Sequence, residues 1–135
     1  MDLRYEIRSA DLTRISKKFD KLDQKIKDRI EKAINITALN IQADAQTNTP
    51  VVTNRLRSSI HIETANRKRF VYSDNKGKSF IGTLQLDLPR YAAAVGTNVK
   101  YGPKIEARNH MLVNASKMEQ PKFNKRIEKI LKDVV

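Results

Sequence analysis

The stretch LTRISKKFDKLDQKIKDRIEKAINITALNIQADAQTNTP, residues 12–50, decides how the rest of the chain must fold. Its positions Leu12, Ile15, Phe19, Leu22, Ile26, Ile30, Ala33, Thr37 and Ile41 recur at three- and four-residue steps. Placed at about 100° per residue, they share one sector roughly 100° wide, the stripe of a helix that faces a core. A single helix from Leu12 to Gln46 would hold 35 residues and measure about 52 Å at its usual rise. A compact domain of this chain length is only roughly 35–40 Å across. The stretch is therefore expected to break near Asp20 to Asp23, where a second helix cap is available, giving a short helix followed by a long one. Thr49-Pro50 ends it, because the residue before a proline is pushed out of the α region.

The long helix carries a second signal on its reverse side. Ile36, Leu39 and Ala43 lie away from the main stripe, while Ile34, Ala38 and Ala45 widen that stripe. A helix apolar over most of its circumference is covered on more than one side. In a chain of 135 residues, the second cover is expected from another subunit.

Upstream, Leu3, Tyr5 and Ile7 alternate with Arg4, Glu6 and Arg8 in the pattern of a short strand, and Ser9 and Asp11 offer helix caps. Downstream, Ile60 and Ile62 alternate with His61 and Glu63 as a strand, which puts His61 on the opposite, surface or interface side. Phe70 to Tyr72 reads as another strand, followed by the turn Ser73 to Lys78. Phe80 to Leu88 reads as extended, with Leu84, Leu86 and Leu88 facing one way. Tyr91 to Gly96, apolar and rich in small residues, reads as a buried strand. After an irregular section, Phe123, Ile127, Ile130, Leu131 and Val134 define a final amphipathic helix, with Pro121 suited to its first turn. The expected class is α+β: a long N-terminal helix and a C-terminal helix packed on one antiparallel β-sheet, residues 1–135 forming a single domain.

Composition narrows the function. Hydrophobic residues make up 39% and charged residues 31%, which fits neither a disordered tail nor a membrane protein. The longest apolar run, Tyr91 to Val95, is far short of the roughly 20 residues a membrane helix needs. Charges in the first six residues occupy the place where an export signal would be apolar, so no export is expected. With no cysteine, disulfide frameworks, thiol catalysis and thiolate metal sites are excluded.

The net charge is +12, and it is unevenly spread. Residues 1–48 hold ten Lys/Arg and eight Asp/Glu, residues 49–110 hold eleven and four, and residues 111–135 hold six and three. The densest cluster is Arg67-Lys68-Arg69 with Lys76 and Lys78. Such a field attracts polyanions, nucleic acid or an acidic protein surface, and fades with salt.

Catalytic patterns are missing. His61 and His110 have no metal-ligand spacing, the four glycines are scattered, and the carboxylates of the first helices interleave with Lys and Arg as on a solvated helix face. No catalytic, cofactor-binding or metal-binding residue is assigned. Phe70, Tyr72 and Phe80 lie on the strands that carry the basic residues, but the signature of single-strand-binding sheets is absent.

Two segments are more specific. Pro50-Val51-Val52-Thr53-Asn54-Arg55-Leu56-Arg57-Ser58-Ser59-Ile60 follows the Ala-rich helix, and Val95-Gly96-Thr97-Asn98-Val99-Lys100-Tyr101-Gly102-Pro103-Lys104-Ile105-Glu106 comes later. Together they resemble a family of small neck or tail-completion proteins, minor tail components of long-tailed bacteriophages. That family shows Ala-Pro-Val-Asp-Thr-Gly-x-Leu-x-x-Ser-Ile, Val-Gly-Thr, Tyr-Ala-Pro-x-x-Glu-Phe-Gly-Thr and Ala-Arg-Pro-Phe-Leu in the same order, before a closing helix. Here Asn54 replaces a glycine, the Phe-Gly-Thr after Glu106 is missing, and Asn109-His110 stand in place of Pro-Phe.

Physical chemistry gives these positions structural roles. Asn54 tolerates the left-handed region, Thr53 suits a backbone-bonding turn, Leu56 and Ile60 re-enter the core, and Gly96 and Gly102 suit tight turns. The resemblance implies a non-enzymatic virion protein at the head–tail junction, assembled in the host cytoplasm as a ring, with six copies expected. It would touch other connector and tail proteins, and passing DNA non-specifically, but no membrane. The candidate subunit interface comprises Ile36, Leu39, Ala43, Pro50, Thr53, Arg55, Arg57, Tyr101, Glu106 and Arg108. The candidate polyanion or partner surface is Arg67, Lys68, Arg69, Lys76 and Lys78. The rival readings are a small basic DNA-binding protein and, within the same structural class, a tail-terminator ring.

Overall fold

The structure, a computed structural model, describes residues 3–8, 24–50 and 54–133. The chain runs β1 (Leu3–Arg8), α1 (Gln24–Thr47), α2 (Arg55–Ser59), β2 (His61–Glu63), β3 (Phe70–Ser73), β4 (Ser79–Gly82), β5 (Ala92–Thr97), α3 (Gly102–Asn109) and α4 (Met111–Lys132). The α+β class expected from the sequence is the observed one. The expected single sheet is divided, however. β1, β5 and β2 form an antiparallel three-stranded sheet with β5 in the centre, while β3 and β4 pair only with each other.

β5 explains much of the architecture. All six of its residues are buried, because both faces of the strand are covered. Ala93 and Val95 join the main core with Ile30, Ile34 and Ile41 of α1, Leu56 and Ile60 near α2, and Met111, Phe123, Ile127 and Ile130 of α4. Ala92 and Ala94 point the other way and pack with Leu84 and Leu88, with Leu86 partly buried against them. The small alanines let two layers approach the strand closely. The alternation of Leu84, Leu86 and Leu88 thus has the expected effect, although residues 83–89 form no strand after β4 ends at Gly82.

α1 buries Ile30, Ala33, Ile34, Thr37, Ala38, Ile41 and Ala45, the stripe read from its spacing together with the residues expected to widen it. Fully burying an isoleucine contributes about 1.5–3 kcal/mol, so this stripe anchors the helix. The helix ends at Thr47, three residues before Pro50. The proposed break near Asp20 to Asp23 and the caps Ser9 and Asp11 lie outside the described residues. α4 packs alongside α1 in the opposite direction: Asn40 donates to Glu119 at 3.3 Å, the Arg126 guanidinium donates to Thr37 at 2.9 Å, and Arg29 pairs with Asp133 at 2.8 Å.

Three sequence readings need correction. The section after β5 is not irregular: residues 102–109 form helix α3, so Gly102 opens a helix, and Gly96 lies within β5 and not in a turn. α4 begins at Met111, ten residues before Pro121, which sits inside the helix on its exposed side. Finally, His61 is fully buried. Ile60 and Ile62 do turn toward the helices as read, but the other face of β2 is covered by the hairpin and by residues 83–88 instead of by water.

Candidate assembly surfaces

The reverse side of α1 is the first candidate surface. Spacings of three and four residues align Ile36, Leu39 and Ala43 on one strip. Leu39 is 56% exposed and Ile36 37%, and Ala43 is exposed as well. α4 occupies one flank of the strip. The other flank is closed by Gln42 and Gln46, whose side-chain amides donate to the Ile60 and Arg57 carbonyls at 3.0 and 3.3 Å. Both flanks are therefore fixed, and the strip between them remains open.

The segment after α1 is held from inside. Pro50 is exposed, and Thr53 lies outside the described residues. Asn54 has φ 65°, the left-handed conformation expected where asparagine replaces glycine. Leu56 and Ile60 are buried, as anticipated. Arg55 and Arg57 are half-buried and partly committed within the chain. The Arg55 guanidinium lies 4.1 Å from the centre of the Phe80 ring, and Arg57 Nε donates to the Gln46 carbonyl at 2.8 Å. A relay of hydroxyls then ties this segment to β5: the Val99 N–H donates to Thr97 Oγ1, Thr97 to Ser59, and Ser59 to the Leu56 carbonyl.

The 97–108 segment separates into two parts. Tyr101 and Arg108 are exposed. Glu106 is buried and accepts the N–H groups of Leu112 and Val113 at 2.8 and 3.0 Å. These are the second and third residues of α4, so Glu106 supplies from α3 the acceptor that an N-cap side chain would provide. His110, at the junction itself, offers no side-chain cap and has φ 51°. The structure thus gives Glu106 a role within the chain, as the acceptor for two backbone N–H groups of α4.

The basic cluster is brought together by the β3–β4 hairpin. Arg67, Lys68 and Arg69 lead into β3, and Lys76 and Lys78 stand at the turn, all five exposed. Asp74 closes the turn by accepting the backbone N–H groups of Lys76 and Lys78. Phe70, Tyr72 and Phe80 face inward and form a stack with His61, with successive ring centroids 5.5, 6.4 and 5.5 Å apart. Val71 and Ile81 are direct cross-strand partners on the outer face, 66% and 50% exposed.

Sequence reading misses several residues here. Val71 and Ile81 carry a signal, since each alternates with inward aromatic or small residues, but their pairing requires the hairpin register. His61 and Glu63 carry no such signal. The His61 Nδ1–H donates to the Ser59 carbonyl at 2.8 Å, and Nε2 is hydrogen-bonded to Glu63 Oε2 at 2.5 Å. The same carboxylate oxygen accepts the Leu84 N–H at 2.7 Å. This buried pair links β2, the hairpin and the 83–88 segment. Both side chains are fully enclosed.

Among the described residues no group of His, Asp and Glu could hold a metal ion, and no helix is long and apolar enough to cross a membrane. A cleft of about 440 Å³ lies between α1, the turn after β2 and Arg90-Tyr91. Its lining includes Glu31, Asn35, Thr64, Asn66, Arg90 and Tyr91, with Arg90 Nε 3.9 Å from the Glu31 carboxylate.

Comparison with known proteins bears on these surfaces. A family model described as "Bacteriophage HK97-gp10, putative tail-component" matches residues 13–107, from before α1 into α3. No curated protein and no solved structure matches the chain significantly.

Proposed function

The chain belongs to the HK97-gp10-like family of bacteriophage tail components, and from that premise we propose that it is a non-enzymatic ring subunit at the head–tail junction. The family makes it a structural component of tail or neck type. The ring and the junction are the finer reading. The observation that carries this reading is the open strip Ile36, Leu39 and Ala43 on a helix whose other faces are fixed. Large apolar side chains left bare on a basic subunit mark a surface that assembly covers.

A closed ring joins each copy to the next through two different patches, and the rotation between them sets the copy number. The α1 strip is one patch. The exposed parts of the other two segments, Pro50 in one and Tyr101 with Arg108 in the other, form the second or meet an adjoining connector or tail protein, and Thr53, outside the described residues, keeps its place in that second patch from the sequence alone. Arg55, Arg57 and Glu106 support that second surface from beneath, because Arg57 and Glu106 hydrogen-bond within the chain and the Arg55 guanidinium lies against the Phe80 ring. Six copies follow the symmetry expected of such tails.

The DNA-binding alternative keeps its basic hairpin, whose five cations are exposed, but has no base-stacking platform beside it, since Phe70, Tyr72 and Phe80 turn into the core. A tail-terminator ring would use the same surfaces at a different position. Gold-labelled antibody against the chain, applied to purified virions, tests the reading. Label at the head–tail junction is expected. Label confined to the distal tail tip, or a virion without this chain, would refute it.

A further inference from the structure

We propose that the outer face of the β3–β4 hairpin docks an acidic, apolar-centred surface of a different virion protein, and neither DNA nor a second copy of this chain. The proposal rests on the reading of the chain as a virion component. Its centre is the cross-strand pair Val71 and Ile81, among the most exposed large apolar side chains described. The pair is outside the core by construction, because Phe70, Tyr72, Phe80 and Gly82 occupy the inward face of the same two strands. Cations stand at both ends of the hairpin: Arg67, Lys68 and Arg69 at the base, Lys76 and Lys78 at the tip. A strand rises about 3.3 Å per residue, so these charges lie within roughly one or two Debye lengths of the apolar pair. An apolar centre inside a charged rim is the usual anatomy of a protein–protein contact.

The charges select among occupants. The hairpin's single carboxylate, Asp74, is engaged in the turn, so five cations face outward with no internal counter-charge. A partner must bring carboxylates. Among the described residues this chain has no patch of them to offer from a second copy. Glu63, Glu106 and Glu119 are buried, and Glu6, Glu31 and Asp133 face Arg4, Arg90 and Arg29. Asp28, Asp44, Asp87 and Glu128 are spread over α1, the 83–88 segment and α4. DNA would satisfy the cations but would set phosphates against Val71 and Ile81, while the rings able to stack on bases face the core.

A photo-crosslinking phenylalanine analogue in place of Val71, incorporated into assembling phage, tests the proposal directly. Illumination of purified particles should join the chain to a different virion protein, at a segment flanked by Asp or Glu. Joining to DNA, to another copy of this chain or to a segment without carboxylates would overturn the proposal, as would a chain present in particles but joined to nothing. A chain absent from the particles would overturn the reading beneath it as well. In parallel, the double variant Lys68→Glu, Lys76→Glu should lower incorporation into particles about tenfold, since like charges set across an interface are strongly disfavoured. Lys68→Arg, Lys76→Arg should restore it, with thermal unfolding of the purified subunit unchanged throughout. Unchanged incorporation of the charge-reversed variant would count against the proposal.

Discussion

His61 shows how one side chain can tie three elements together. Its Nδ1 faces a carbonyl, which only accepts, so that nitrogen carries a proton, and its Nε2 is hydrogen-bonded to Glu63. Glu63 in turn holds the backbone of Leu84. Removing the carboxylate in Glu63→Ala leaves the buried Leu84 N–H without an acceptor and His61 Nε2 without its partner, and the expected loss is about 3 kcal/mol in urea unfolding. Glu63→Gln retains an acceptor and should cost roughly half of that. Gly82 belongs to the same arrangement. A Cβ there would come within 3.0 Å of His61 Cε1 and 3.2 Å of Nδ1, and the ring is held by hydrogen bonds and by Phe70, stacked 5.5 Å away. Gly82→Ala should therefore destabilise by about 1–3 kcal/mol, measured in the same way. None of this is legible in the sequence. Alternation assigns Ile60 and Ile62 to the correct face, but three residues of it do not reveal whether the opposite face meets water or a second layer. Asn54 is legible, because few residues other than glycine accept its conformation.

At the scale of elements, periodicity succeeds where one face of a long segment is apolar and fails where polar residues are buried. α1 and β5 are readable for the first reason. The first half of α4 is hidden because Ser116 and Glu119 interrupt its inward stripe, and Pro121 resembles a helix start. Glu119 is buried because Arg126 and Asn40 bind its carboxylate, contacts that depend on α1 lying alongside. α3 is hidden because it is short and largely exposed. Two outcomes follow. Glu106→Ala removes the acceptor for two N–H groups at the start of α4 and should cost about 1–2 kcal/mol by chemical denaturation. Pro121→Ala restores a backbone donor on the exposed side and should stabilise by about 1–3 kcal/mol, seen as a higher melting temperature. An unchanged or lower melting temperature would mean that the surrounding helix is already adapted to the proline.

Among the described residues one asymmetry is conspicuous: a central strand covered on both faces, and a helix with a bare apolar strip. Family membership and the strip together make assembly the central claim. The order of elements and the segments near residues 50–60 and 95–106 suffice, as sequence alone, to point to the family. The open flank of α1 is visible only once the neighbouring elements are placed, since their positions show that nothing within the described residues covers Ile36 and Leu39. Leu39→Glu should leave the subunit's stability within about 0.5 kcal/mol, as for other surface substitutions, yet prevent its incorporation into particles.

A cryo-microscopy reconstruction of the virion at side-chain detail tests the account most directly. It should place this chain in a closed ring between head and tail, with Ile36, Leu39 and Ala43 buried against the next copy. A ring in which those three side chains face water, or a junction built without this chain, would contradict it.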